Sequence, residues 1–410
     1  MTMTCVHPNT ASVSPSISPV LPPTPATDPP VANLPVANPS TAAVRRLLSV
    51  GGDTEGVDLS IGQPDIPVPT EIIEAGVAAL RAGRTAYTRK NGMPELRERL
   101  AAASPGVDPS NIVVTVGGTE AVAVTIESVC APGGSIIMPD PAWSSYRTLC
   151  EALDIGMVPY SIGGFGAPFF DLDAIERGLC AGARLIIANS PANPTGAIAT
   201  EAELRELYEL AERYDAFIMS DEAYRHIVFD GTPAAPSLMD IDLTREPDRR
   251  RVFVVRTFSK IFCMTGMRLG YLIVPPSQLM RTAVIHGSTT GCAGIGAQLM
   301  GIAALDGLEA QRRRIGEVYR RRFDMAASVF GDLMPTRDIR DFGAFYLWLR
   351  SPKGTPADVL AERMARRGVI VSSGDAYSFS PTHAVRVSMT AGDEDLRRAF
   401  GIVREVLLGE

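Results

Sequence analysis

The sequence predicts an α/β fold: a large domain built on a mostly parallel, seven-stranded sheet, and a smaller α+β domain. Three observations predict it. From about Leu59 to Pro275, short apolar or β-branched runs alternate with longer amphipathic stretches, the pattern of strands joined by crossover helices. Several of those runs are apolar nearly throughout, as expected of strands buried on both faces. Beyond about Leu305 the alternation ends, and a long charged helical stretch leads into mixed elements. A chain of 410 residues also exceeds one ordinary core.

In chain order, residues 1–43 come first and differ from the rest. They hold repeated prolines among Ser, Thr, Ala and Val, with no Lys or Arg before Arg45. A signal peptide needs a basic start and a transit peptide needs arginines, so neither is expected. The segment reads as a disordered, partly polyproline II tail, with an arm covering a partner subunit as the alternative. The large domain is expected over 71–304, and the small one over 44–70 and 305–410. Candidate strands are Ile112–Val116, Ser135–Met138, Met157–Tyr160, Leu185–Asn189, Phe217–Asp221, Val252–Thr257 and Gly270–Val274. Glu201–Tyr214 is an amphipathic helix between two of them. In the second domain, helices are expected over Glu309–Phe330, Ala357–Arg366 and from Asp393. Strands are expected at Ala344–Leu349, Val369–Ser372 and Ala384–Ser388.

Composition removes some functions. A net charge of −7 is wrong for a protein that binds nucleic-acid phosphates. No apolar run reaches the ~18 residues of a membrane span. Cys5, Cys130, Cys150, Cys180, Cys263 and Cys292 are scattered and the four histidines lie far apart, so neither disulfides nor a metal site is expected. Free thiols suit a reducing compartment, and the expectation is a cytoplasmic protein.

In open α/β sheets, ligands gather beyond the carboxyl ends of the strands. The first strand runs into Gly117-Gly118-Thr119-Glu120. Two glycines let backbone approach a ligand, Thr119 can cap the following helix, and free N–H groups there attract an anion; a tight turn is the plain alternative. Leu185–Asn189 leads into the proline-shaped loop Ser190-Pro191-Ala192-Asn193-Pro194-Thr195-Gly196, which presents Asn193. Phe217–Asp221 ends in Asp221-Glu222-Ala223-Tyr224. An acid at the end of an apolar strand is costly unless paired, and a protonated ring nitrogen would pair it. Val252–Thr257 ends in Thr257-Phe258-Ser259-Lys260, with Met264-Thr265-Gly266-Met267-Arg268 close behind. Arg268 can grip a phosphate in bidentate fashion and Lys260 is a candidate Schiff-base amine, unless these are ordinary surface residues.

With these words in place, the chain resembles the fold-type I pyridoxal-phosphate enzymes of the class I/II aminotransferase family, the aspartate aminotransferase superfamily. The resemblance rests on Gly62-Gln63-Pro64-Asp65, Tyr87-Thr88 with Gly92, Gly117-Gly118-Thr119-Glu120, Asn193-Pro194-Thr195-Gly196, Asp221-Glu222-Ala223-Tyr224, Ser259-Lys260, Thr265-Gly266-Met267-Arg268-Leu269-Gly270-Tyr271 and Arg386-Val387-Ser388. They fall in the family's order from about residue 45 to 405.

The resemblance implies pyridoxal 5'-phosphate as cofactor and gives each residue a role. Lys260 would form the Schiff base and shuttle the proton, and Asp221 would pair with the ring nitrogen. Tyr224 and Asn193 would bond the ring 3'-oxygen. Trp143 would stack on the ring, with Tyr146 as the alternative. Gly118, Thr119, Thr257 and Arg268 would hold the phosphate, and Tyr87 would reach the phosphate of a neighbouring subunit in a homodimer. Arg386 would clamp the substrate carboxylate, with the Gly62 backbone and Asn193 nearby. The implied activity moves an amino group from an amino acid to a 2-keto acid through a quinonoid intermediate. The same residues also suit a lyase, cyclase or β/γ-substitution enzyme, and a fused transcription regulator is disfavoured by the cation-free N-terminal segment. Four positions depart from the family pattern. Thr257 replaces a serine, Met267 a tryptophan expected to matter only for packing, and Cys263 has no assigned purpose. Thr119 stands where a lysine would suit an acidic substrate side chain, so aspartate preference is not implied.

Overall fold

The computed structural model describes residues 56–336 and 338–410. The tail expected over 1–43 lies outside the described residues. The described chain starts with a two-residue strand, β1 (Val57–Asp58), then helices Thr70–Arg81 and Pro94–Ala102. The strands β2 (Ile112–Thr115), β3 (Ser135–Asp140), β4 (Gly156–Gly164), β5 (Ala167–Phe170), β6 (Leu185–Asn189), β7 (Phe217–Asp221), β8 (Val252–Thr257) and β9 (Gly270–Ile273) form one sheet in the order β2-β9-β8-β7-β6-β3-β4-β5. The second sheet contains β10 (Tyr346–Arg350), β12 (Ser372–Ser373) and β13 (Ala384–Ser388), in the order β10-β13-β12. The short β11 (Val369–Ile370) pairs instead with β1.

The apolar runs are the reason the sheet sits where it does. In β6, Ile186 and Ala188 enter the apolar layer on one face while Leu185 and Ile187 enter the layer on the other. In β2, Ile112 and Val114 face one layer and Val113 the other. Alternation of side chains across a strand puts both sets out of water only if helices cover both faces. That forces connections over each face and leaves the strand ends free.

The seven expected strands are present, and an eighth, β5, extends the edge. Phe165 (φ 57°) and Gly166 (φ 95°) turn the chain left-handedly, so β4 folds back on itself. Pro168 hides this strand from a sequence reading, because proline interrupts a ladder. At an edge its missing N–H costs nothing. The expected strand Val369–Ser372 also divides, because β11 pairs with β1 while β12 pairs with β13.

Directions decide the site. Strands β2, β3, β4, β6, β7 and β8 point one way, while β9 and β5 run opposite. The carboxyl ends of β2, β3, β6, β7 and β8 therefore share one edge with the start of β9. Among the described residues no helix is long and apolar enough to cross a membrane.

A buried ion pair ties two of these strands together just beneath that edge. Arg256 of β8 donates to Glu222 Oε2 through Nε (3.0 Å) and Nη2 (2.8 Å), and to Ser104 Oγ through Nη1 (2.8 Å). Ser220 and Ser237 donate to the other Glu222 oxygen. Removing the acid would strand a buried guanidinium beside Arg225, which lies 3.7 Å from the same carboxylate. Glu222→Ala is expected to cost about 3–5 kcal/mol in urea denaturation. A cost near zero would show that Arg256 has another partner.

Candidate active site

The shared edge collects the chemistry. β7 ends on Asp221, and β6 ends on Asn189. β8 ends on Thr257, and the short helix Phe258–Ile261 that follows carries Lys260. Trp143 follows the end of β3, and Arg268 precedes β9. From the second sheet, β10 adds Tyr346 and β13 adds Arg386. Together they line a cleft of about 370 Å³.

Lys260 is the central amine. Its Nζ donates to the Gly62 carbonyl at 2.6 Å and lies 5.9 Å from the Tyr224 ring centre. Burial, then the charges of Arg386 and Arg268, bring its pKa down to about 8, with Asp221 opposing. About a tenth of the amine is thus neutral and nucleophilic at pH 7, against well under a thousandth for an ordinary lysine. Cys263 nearby is buried, and burial pushes its thiol up to about 12, so it is not a thiolate.

Asp221 is buried, and burial raises its pKa, opposed by two donors. Tyr146 Oη donates to Oδ2, and the Ala223 N–H donates to Oδ1 at 3.1 Å. Asn189 braces the strand end, donating through Nδ2 to the Asp221 carbonyl at 2.9 Å and accepting the Asn193 N–H at 2.8 Å. The result is a carboxylate fixed in place but short of a cation.

The opposite end is built for an anion. Helix Gly117–Val129 begins with no side-chain cap, so the N–H groups of its first turn stay available. Thr119 was expected as the cap, but it lies inside the first turn. A Cβ on Gly117 (φ 79°) would lie 2.6 Å from Arg268 Nη2, and one on Gly270 would lie 2.9 Å from the Gly118 nitrogen. Glycine at both points lets backbone and guanidinium close around a small volume, with the Thr257 hydroxyl beside it. This uncapped helix start with an arginine and a hydroxyl fits a phosphate.

Arg386 is buried between rings, 4.3 Å from the Tyr346 centre and 4.7 Å from the Tyr377 centre. It donates to Asn193 Oδ1 at 3.0 Å and to the Ser60 carbonyl. Its Nε has no partner, so the protein leaves this buried cation partly unsatisfied.

Of the residues singled out by sequence, Gly62, Gly118, Thr119, Trp143, Asn193, Asp221, Tyr224, Thr257, Lys260, Arg268 and Arg386 all line the cleft. Tyr87 does not; it is 96% exposed. Met267, expected as packing, is 43% exposed instead. Tyr146 does not take a stacking place: it is fully buried, edge-on to Trp143 at 85°, and bonded to Asp221. Sequence reading missed that role, along with the Tyr224–Tyr346 hydroxyl pair at 3.0 Å and Tyr377 over Arg386. The one signal for Tyr346 was its place in an aromatic, apolar strand.

Comparison with known proteins gives the family. Residues 54–402 match the family described as aminotransferase class I and II. A probable aspartate aminotransferase of Methanocaldococcus jannaschii is 29% identical, over 90% of this chain and 98% of its own. An arginine–pyruvate transaminase of Pseudomonas aeruginosa is also 29% identical, over 87% of this chain and 91% of its own. A solved single mutant of Thermus thermophilus aspartate aminotransferase superposes with a TM-score of 0.81 at 28% identity, covering 90% of this chain and 97% of its own. With residues 54–402 matched by the family and these relatives aligned over nearly their whole lengths, this protein belongs to the class I and II aminotransferases and is a pyridoxal-phosphate-dependent aminotransferase.

Proposed function

We propose that this aminotransferase takes its amino group from an α-amino acid with a neutral, apolar or aromatic side chain. The observation that carries this is the division of the cleft. Its three cations stand apart: Lys260 at the centre, Arg268 at the helix start and Arg386 in the second sheet. Apart from the residues assigned to the cofactor, the wall includes Ile61 and Tyr377. A second carboxylate laid on that wall would be desolvated without a partner. The relatives support separating family from substrate, since two of equal identity are named for aspartate and for arginine.

When bound, pyridoxal phosphate supplies a carbonyl carbon for amines and a ring that accepts electrons from the substrate α-carbon. The proposed roles of the chain follow. The first-turn N–H groups of Gly118 and Thr119, the Thr257 hydroxyl and Arg268 hold the phosphate. Asp221, aimed by Tyr146, holds a proton on the ring nitrogen. Asn193 and Tyr224 bond the ring oxygen, and Trp143 covers the ring face. Arg386 binds the substrate α-carboxylate, moving from the Asn193 and Ser60 oxygens it now satisfies. Lys260 Nζ takes the α-proton and returns it to the cofactor's carbonyl-derived carbon.

The test is a panel of amino donors with pyruvate as acceptor. Phenylalanine or leucine should exceed aspartate by about 100-fold or more in kcat/KM, the scale of a buried unpaired carboxylate. Equal use of aspartate would overturn the side-chain assignment and leave the transaminase intact. Release of a side-chain leaving group and ammonia with no acceptor keto acid consumed would favour the lyase reading.

A homodimer is proposed as well, with Tyr87 reaching the partner's phosphate. Its support is the exposure of large apolar side chains: Met280 at 78%, Leu80 at 64% and Val284 at 60%, besides Tyr87 itself. A fully active monomer in analytical ultracentrifugation would sink this. The division into a large lobe (71–304) and a small lobe (305–410 with the segment before Glu71) is supported by β1, which pairs with β11. Cys130, Cys150, Cys180, Cys263 and Cys292 are free thiols, which supports a reducing, cytoplasmic location that cell fractionation would check.

A further inference from the structure

The first turn of helix Gly117–Val129 contains an acid, Glu120, beside the proposed phosphate seat. A carboxylate there repels a phosphate unless something cancels it. Glu120 Oε2 accepts the Val116 N–H, reaching back over the start of its own helix. Its Oε1 accepts from the Thr290 hydroxyl and faces His286 Nδ1 at 3.0 Å.

His286 is fully buried. Its other nitrogen, Nε2, faces the Lys90 carbonyl at 2.9 Å. A carbonyl only accepts, and Glu120, held below the usual carboxylate range by its hydrogen bonds in spite of burial, is an ionised group that only accepts. Both ring nitrogens must therefore donate, and only the imidazolium carries hydrogens on both. Burial alone would lower the pKa of His286, but the bonds from Glu120 and Lys90 outweigh it and raise it. Few other charges face the ring. Lys90 lays its ammonium along Gly287, and Arg281 on the same helix turns to the Glu127 carbonyl.

Lys90 belongs to the loop that carries Tyr87. A second buried side chain anchors the same loop: Gln298 donates to Thr88 Oγ1 at 3.0 Å and accepts the Met93 N–H at 2.8 Å. We propose that His286 is a positioning residue for cofactor binding: as a buried imidazolium it neutralises Glu120 and clasps the phosphate-binding helix turn to the Tyr87 loop. This rests on the phosphate seat proposed above.

The sign of the pH effect follows. The contribution is complete below the ordinary histidine value of ~6.5 and is lost as pH rises through the raised value. Above it, one hydrogen bond breaks and the Glu120 charge is left facing the phosphate.

The experiment titrates cofactor-free wild-type protein, H286Q and E120Q/H286Q with pyridoxal 5'-phosphate and with pyridoxal, which lacks the phosphate, across pH 6–9. H286Q should bind pyridoxal phosphate about 10–100-fold more weakly at pH 6.5, the scale of one uncompensated charge in a partly buried site. Its pyridoxal affinity should be unchanged, and the gap to wild type should narrow as pH rises. E120Q/H286Q should recover most of the loss, because the repelling charge is gone. Equal losses for both ligands, or a double variant weaker than H286Q, would make His286 merely structural and overturn the proposal. The seat itself is checked separately by Arg268→Gln, which should weaken pyridoxal phosphate and spare pyridoxal. Equal weakening of both there would remove the seat and the proposal with it, an outcome distinct from the H286Q results that judge His286 alone.

Discussion

Replacing Lys260 by alanine should lower kcat by at least about 10⁴-fold, the upper end of what a positioned acid–base group contributes. The reason is that, among the described residues, no other amine lines the cleft. Arg268 and Arg386 line it as well, but a guanidinium stays protonated and cannot carry a proton back and forth. The variant should still bind the cofactor, because the phosphate seat and Asp221 remain. Borohydride should fix the cofactor to the Lys260 peptide in the wild type and leave the variant unlabelled by mass spectrometry. Added methylamine should restore part of the rate in proportion to its free-base concentration. A fall of under tenfold would remove Lys260 from the reaction. The pH dependence follows from its pKa of about 8, lowered first by burial and then by two arginine charges. The neutral amine captures the cofactor, so capture by cofactor-free protein should accelerate as pH rises through about 8. Stopped-flow absorbance measures this, and a flat profile would contradict the assignment.

The second large effect is at Asp221. Asp221→Asn keeps the shape and removes the charge. It should lower kcat by about 10²–10³-fold, the scale of losing one preorganised electrostatic group at a reacting centre. Stability gives an independent reading. In cofactor-free protein, burial raises the Asp221 pKa. A raised folded value means that its contribution is complete below the ordinary carboxylate range and is lost as pH rises through the raised value. At neutral pH the bare carboxylate is therefore a cost, relieved only in part by Tyr146 and Ala223. Cofactor-free Asp221→Asn should melt at or above cofactor-free wild type at pH 7–8. The cofactor-loaded variant should melt below loaded wild type, because the ring proton has lost its partner. Both forms shifting in the same direction would argue that Asp221 serves the fold and not the ring.

Some of this was legible along the chain for a specific reason. Strands buried on both faces must be apolar nearly throughout, so β6, β7 and β8 show their limits as the points where polarity returns. Those points are Asn189, Asp221 and the Thr257–Lys260 turn, which are also the chemistry. The edge strand β5 was hidden because it is partly solvated and contains Pro168. Thr119 was misassigned as a cap because the helix starts two residues earlier, at Gly117.

The sequence by itself determined the layered fold and the strand-end positions of Lys260, Asp221 and the Gly117–Glu120 turn, because each is written in a strand and the few residues after it. Only the tertiary structure decided what surrounds them. Tyr146 and Asp221 are 75 residues apart, Arg386 and Asn193 are 193 apart, and Glu120 and His286 are 166 apart. The first and last pairs meet because the sheet order β2-β9-β8-β7-β6-β3-β4-β5 does not follow the chain, while Arg386 reaches Asn193 from the second sheet. Local residue types restrict backbone and polarity over a few positions. Which distant side chain satisfies a buried charge depends on how the layers close over one another, and no single segment carries that.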